Sequence, residues 1–235
     1  MGLDMSDFAS PSSYPTLNKL FTRALNTPRT FDTDESAFIS PCDSLISEHG
    51  VIKEENAYQI KGMSYSVREL LTKIHPGHID TLNNGNFMNF YLSPKDYHRY
   101  HMPFDAQITR LVHVPGKLYP VNMTYLNKQK DLFIENERAI MECLDKNGRY
   151  FYIVFVGALN VGQIILHFEA TLKTNVPNSV KVYDYDTLFY KKGDELGMFE
   201  MGSTLVAFFP PAMLEPSIEV GEDVKFAQTI AKLNF

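Results

Sequence analysis

The sequence predicts a single α+β globule whose core is a strand-rich sandwich or partly closed barrel, with a few helices at its periphery. Three observations predict it. The last third consists of short apolar stretches set apart by Gly193, Gly197, Gly202 and Gly221, as short strands joined by tight turns require. Two short stretches space their apolar residues helically, Leu17 to Leu25 and Leu70 to Ile74. The 235 residues are 44% hydrophobic and 21% charged, which suits one ordered domain over 1–235 with a sizeable core.

Residues 1–13 read as an irregular lead-in. Pro15 sits where a first helical turn tolerates proline, so a helix is expected over 15–25 and is ended by Pro28. Residues 36–63 read as short strands and turns. Ser66 and Glu69 have capping-box spacing ahead of Leu70, Leu71 and Ile74, and this second helix is expected to stop near Pro76-Gly77. A strand is expected over 87–92, a turn at Ser93-Pro94-Lys95-Asp96, and a strand over 106–114 closed by Pro115-Gly116. The long apolar run 151–168 approaches membrane-spanning length. Gly157, Asn160, Gly162, Gln163 and His167 interrupt it, so two buried strands around a turn are the better reading. The stretches after Gly193 and Gly221 share a turn glycine, two acidic residues and a strand. This is a weak internal echo.

Composition narrows the function. A formal net charge of -6 argues against a nucleic-acid binder, whose footprint is a basic face. Lys19, Arg23 and Arg29, or Arg110 and Lys117, would form at most a local basic patch. The two cysteines, Cys42 and Cys143, make no C-x-x-C pair and are expected to be free thiols. The start of the chain has neither the basic region nor the apolar region of a signal peptide. Dinucleotide, Walker, zincin and G-x-S-x-G motifs are absent.

The chemistry-bearing residues are few. His98 and His101 stand in the dense segment Tyr97-His-Arg-Tyr-His101. On a helix they would share a face; on a strand they would point oppositely. With Asp43 or Asp96 they could hold zinc, which leaves a zinc-dependent hydrolase as one alternative. A non-enzymatic barrel-type carrier or binding module is another. Asp43 reads either as a turn residue bonded to its own backbone or as a carboxylate that fixes a histidine tautomer. The Gly202-Ser203 pair reads as a turn into a strand. Alternatively, the serine attacks the preceding carbonyl once a histidine takes its proton.

Taken together, Ile39-Ser-Pro-Cys-Asp43, Tyr91-Leu-Ser-Pro-Lys-Asp-Tyr-His-Arg-Tyr-His-Met-Pro103, Pro115-Gly-Lys-Leu-Tyr-Pro-Val-Asn122, Asn136-Glu-Arg138, Val156-Gly-Ala158, Lys192-Gly-Asp-Glu-Leu-Gly-Met-Phe199 and Met201-Gly-Ser-Thr204 form an ordered set. The set resembles the bacterial phosphatidylserine decarboxylase proenzymes, in their short, compact form. Two departures stand out: the family usually carries more sequence ahead of this core, and Met201 takes the place of a common leucine.

The resemblance implies a pyruvoyl-dependent carboxy-lyase of phospholipid biosynthesis, made as a zymogen. Asp43, His101 and Ser203 would be the self-processing triad, and His98 the residue of decarboxylation and proton transfer. Autocatalytic cleavage between Gly202 and Ser203 would give a beta chain 1–202 and an alpha chain 203–235 that stay associated. Ser203 would become the covalent pyruvoyl cofactor, with no metal. The substrate amine would form a Schiff base with it, and phosphatidylserine would yield phosphatidylethanolamine and carbon dioxide. The implied setting is the cytoplasmic side of the cell membrane, bound peripherally to an anionic surface through helix 15–25 and the 117–121 loop. A homodimer is left open. The resemblance and the tautomer logic together lead to the expectation that Asp43 hydrogen-bonds His101.

Overall fold

The computed structural model describes residues 3–60, 62–159, 163–176, 179–200 and 204–235. The strands in chain order are β1 (Ala37–Ile39), β2 (Ser44–Val51), β3 (Asn56–Ile60), β4 (Met63–Ser66), β5 (Asn86–Tyr91), β6 (Arg99–His101), β7 (Ala106–Val114) and β8 (Arg138–Leu144). They continue with β9 (Tyr150–Val156), β10 (Ile164–Leu166), β11 (Lys181–Tyr190), β12 (Glu195–Phe199), β13 (Thr204–Phe209), β14 (Leu214–Pro216), β15 (Asp223–Val224) and β16 (Thr229–Leu233). The helices are single turns: α1 (Leu17–Phe21), α2 (Val67–Leu70), α3 (Pro76–Asp80), α4 (Met123–Leu126) and α5 (Leu132–Glu135), with a 3-10 turn at Pro11–Ser13.

One sheet of eight strands runs β11-β7-β8-β9-β13-β5-β2-β15, antiparallel at every pairing. Alternate side chains leave a strand on opposite faces, and this sheet buries both. Leu205, Ala207 and Phe209 of β13 join a core with Phe38, Tyr100, Leu196 and Ile230, which belong to two three-stranded sheets, β1-β16-β14 and β10-β12-β6. Val206 and Phe208 join a second core with Leu70, Ile79, Leu126 and Phe133 from the helices. The architecture is therefore α+β and partly sandwich-like. The large sheet ends at β11 and β15 without closing, so the barrel alternative is not taken.

Most expected elements form. β7 spans the expected 106–114, and the run 151–168 divides into β9 and β10. No described helix is long and apolar enough to cross a membrane. Cys42 and Cys143 are free and buried.

Several expectations are corrected. The first helix is one turn, capped by Thr16, whose side chain accepts from Lys19 N; its apolar stripe is too short to sustain more. Ser66 caps α2 through Glu69 N as its spacing implies, but Pro76 begins α3 instead of ending α2, because proline at N1 costs no hydrogen bond. Lys19, Arg23 and Arg29 do not form a basic patch: Arg23 is buried and Arg29 is spent on two carboxylates. The echo is confined to its turns, with φ of +86° at Gly193 and +95° at Gly221. The strands that follow these turns lie in different sheets.

Candidate active site

The site is built on β6 and the turn before it. Asp96 closes that turn by accepting a hydrogen bond from Ser93 N, and burial pushes its carboxyl up to about 6. His98 and His101 bracket the start and end of β6, so the strand geometry sends them to opposite faces. Each ring meets a different environment.

His98 is fully buried and packs on Phe21 of α1, ring centroids 3.8 Å apart. Its Nδ1 lies 2.8 Å from the Asp96 carbonyl. A carbonyl only accepts, so Nδ1 carries the proton and Nε2 holds a bare lone pair. That Nε2 is buried and has no hydrogen-bond partner among the described residues. Burial lowers the pKa to about 3, with Arg23 adding to the effect, so the ring is neutral. The same residue's carbonyl accepts from Phe199 N at 2.9 Å, which ties His98 to the chain just ahead of Ser203.

His101 sits on the other face, stacked on Phe226 at 3.6 Å with the rings 12° apart. Its Nδ1 donates to Gly193 O at 3.0 Å. Gly193 can aim that carbonyl because it adopts a positive φ, and a Cβ there would also meet the Phe31 ring at 2.5 Å. Its Nε2 accepts from the Tyr97 hydroxyl at 3.1 Å. Burial lowers this histidine to about 4.

The expected Asp43–His101 hydrogen bond is not made. Arg29 takes Asp43 instead, with Nη1 at 2.5 Å and Nη2 at 3.1 Å from its two oxygens. The remaining capacity of Oδ1 goes to Phe226 N at 2.7 Å. The physical reason is charge: a guanidinium forks onto a carboxylate with two charge-assisted bonds, and a neutral imidazole cannot compete. Asp43 therefore reaches His101 indirectly: through Phe226, whose backbone it holds and whose ring covers the imidazole, and through Arg29, whose guanidinium lies over the Tyr97 ring. Nor does Asp43 cap its own turn. The two histidines do not converge on a metal, and no group of three or more His, Cys, Asp or Glu among the described residues is placed to hold one.

Gly202 and Ser203 lie outside the described residues. Thr204, next in the chain, is fully buried at the start of β13, between Tyr91 of β5 and Val156 of β9. Its hydroxyl is buried and has no hydrogen-bond partner among the described residues. Against this end of the sheet lies an apolar pocket of about 400 Å³, lined by Phe21, Tyr91, Leu92, Val121, Tyr125 and Leu159 among others. A polar depression of about 270 Å³ opens beside Arg29, Asp43 and Asp96. A larger groove of about 440 Å³ at Phe31, Lys146 and Phe235 touches none of these residues.

Sequence reasoning missed Arg29, Phe226, Tyr97 and Phe21 as parts of the site. Only Tyr97 carried a signal, through its place beside the histidines.

The buried groups give stability a defined pH response. His98 and His101 have folded pKa values below the ordinary 6.5. Their contribution is present above pH 6.5 and is lost as pH falls toward about 4 and then about 3. The slope is up to about 1.4 kcal/mol per pH unit for each ring. Asp96 acts in reverse: its raised pKa favours the fold below the ordinary 3.8, and that contribution is lost as pH rises through about 6. Two groups outweigh one, so the urea midpoint should fall between pH 6.5 and 4. His98→Asn should flatten the fall; an unchanged profile in that variant would contradict the assignment.

The profile of the phosphatidylserine decarboxylase family matches residues 17–232. The chain is 44% identical over 235 residues to the phosphatidylserine decarboxylase proenzyme of Campylobacter jejuni, covering 97% of this chain and 86% of that protein. It is 42% identical over 235 residues to the proenzyme of a Helicobacter pylori strain, covering 99% and 85%. The figure for Pseudoalteromonas atlantica is 38% over 231 residues, covering 95% and 80%. With the motif-bearing segments folded around one end of β13 and this match over nearly the whole length, the chain belongs to the phosphatidylserine decarboxylase family.

Proposed function

We propose that the protein decarboxylates phosphatidylserine to phosphatidylethanolamine with a pyruvoyl group made from its own Ser203. The observation that carries the reading is His98: a neutral, buried ring with an unpartnered Nε2, bonded through its carbonyl to the segment that leads to Ser203. The buried, unpartnered hydroxyl of Thr204 is a second polar group left for whatever occupies this end of β13.

Processing needs a base, and His101 Nε2 is the lone pair for it once Tyr97 gives up its hydrogen bond. His101 takes the Ser203 proton as Oγ attacks the Gly202 carbonyl. The C–N bond breaks, the amide becomes an ester, and the nitrogen receives the proton. Loss of the residue 203 α-proton then breaks the C–O bond. Residues 1–202 leave with a carboxylate, and dehydroalanine remains at 203. Its tautomer is hydrolysed by water, releasing ammonia. Arg29, Asp43 and Phe226 hold the imidazole plane throughout.

The ketone so formed supplies an electron sink that no protein side chain offers. In turnover, His98 Nε2 accepts a proton from the substrate ammonium and returns it to the α-carbon after carbon dioxide has left. Phe21 shields this exchange from water.

The apolar pocket beside β13 takes the lipid side of the substrate. Leu159 and Tyr125 in its lining are 56% and 44% exposed, and Leu17, on the same single-turn helix as Phe21, is 59% exposed, apolar groups suited to an interface. Lys19 adds basic charge suited to an anionic surface, whereas Lys117 is paired with Glu135 at 3.0 Å. The expected result is peripheral binding, on the cytoplasmic face of the membrane, with turnover there. Vesicles containing carboxyl-labelled phosphatidylserine should co-sediment the protein at low salt and release labelled carbon dioxide. Binding without release would remove the catalytic reading, and release from dispersed lipid without any vesicle binding would remove the membrane part.

A further inference from the structure

We infer that Asn136 is a positioning residue for substrate binding, holding the two walls of the apolar pocket at a fixed separation. This rests on the reading of that pocket as the seat of the lipid. Three segments meet here that processing and proton transfer leave unused: Pro115–Asn122, Asn136–Arg138 and Val156–Ala158. Asn136 is fully buried between them. Its Oδ1 accepts from Tyr119 N at 2.8 Å, and its Nδ2 donates to Tyr119 O at 2.9 Å and to Gly157 O at 2.8 Å. A primary amide is the side chain that offers an acceptor and two donors in this shape.

The backbone laces the same segments. Lys117 N donates to Glu135 O, Glu137 N to Lys117 O, and Gly157 N to Glu137 O, each at 2.8 Å. The approach at Gly116 is close enough that a Cβ would lie 2.6 Å from the backbone of 135–137. From this knot the chain runs in two directions to the pocket. Pro120, Val121 and Asn122 line one part of it, and Ala158 and Leu159 another. Val156, one residue before Gly157, pairs with Thr204. Asn136 does not itself line the pocket and makes no bond to His98, His101 or Asp43. Its effect must pass through the walls, so it belongs to substrate affinity and not to processing.

Asn136→Asp tests this in the full-length protein. The substitution keeps the shape and the acceptor for Tyr119 N, and sets an oxygen against two carbonyl oxygens. Intact mass should show processing as in wild type. The KM for short-chain phosphatidylserine dispersed in detergent should rise about tenfold, the order of one well-made buried hydrogen bond, with kcat within about twofold. Pro120→Gly loosens a wall without touching the buried amide and should raise KM in the same direction. The double variant should be no worse than the stronger single, since both act through one wall. A loss of kcat with KM unchanged in Asn136→Asp overturns the inference. So does an unchanged KM in Pro120→Gly, whether or not the aspartate variant folds. Wild-type protein that neither cleaves nor decarboxylates overturns the underlying reading, and the inference with it.

Discussion

Ser203→Ala protein should stay a single chain of 235 residues, whereas wild type should yield two pieces, one ending at Gly202 and the other beginning at position 203. Alanine removes both the attacking oxygen and the atom that leaves in the elimination, so neither half of the process has a substitute. The small wild-type piece should be lighter by one ammonia than residues 203–235 with a free N-terminal serine, and should resist Edman sequencing. The two pieces should also co-elute until denaturant is added. β13 is the reason: all six of its residues are buried, and it pairs with β5 on one side and β9 on the other. Leu205, Val206, Phe208 and Phe209 are each worth roughly 1.5–3 kcal/mol of burial, and β16 adds a second anchor between β1 and β14. Intact mass and native gel filtration decide the matter. A small piece with an ordinary serine end would show that the backbone was merely hydrolysed and that no cofactor was made.

His98→Asn should cleave and lose turnover, while His101→Ala should fail to cleave. General acid–base groups contribute about 10²–10⁴-fold, so each loss should be of that order. The structure gives the division a geometric basis. His101 faces Tyr97 and Phe226, beside Asp43. His98 faces Phe21, the residue that also lines the lipid-side pocket. The measurements are the half-time of cleavage by intact mass and, on the matured protein, the rate of carbon dioxide release. Equal block of cleavage in both variants would refute the split.

Much of the site was legible because its residues are local in sequence. The segment Tyr97–His101 carries both histidines and the tyrosine that binds one of them. Whether a helix or a strand holds them was left open by their spacing, whereas β7 follows from its own polar and apolar pattern. The pairing of Asp43 with His101 failed for a reason no local pattern holds: a better partner, Arg29, lies on a separate irregular segment. As a lone arginine near other basic residues, it read as surface charge.

The amino-acid sequence by itself determined the fold class, the family and the strand that follows Gly202-Ser203, and it nominated Asp43, His98, His101 and Ser203 for the chemistry. Each rests on short-range periodicity, turn chemistry or an ordered set of motifs, which a linear chain displays. Only the tertiary structure decided what those residues touch. Phe226 N reaches Asp43 across 183 positions, and its ring then covers His101. Asn136 joins loops that its own neighbours do not reveal. Burial, which makes both histidines neutral, is a property of the whole packed molecule. Contacts of this kind depend on which segments the sheets bring together, and each is chosen by competition among partners that sequence order does not rank.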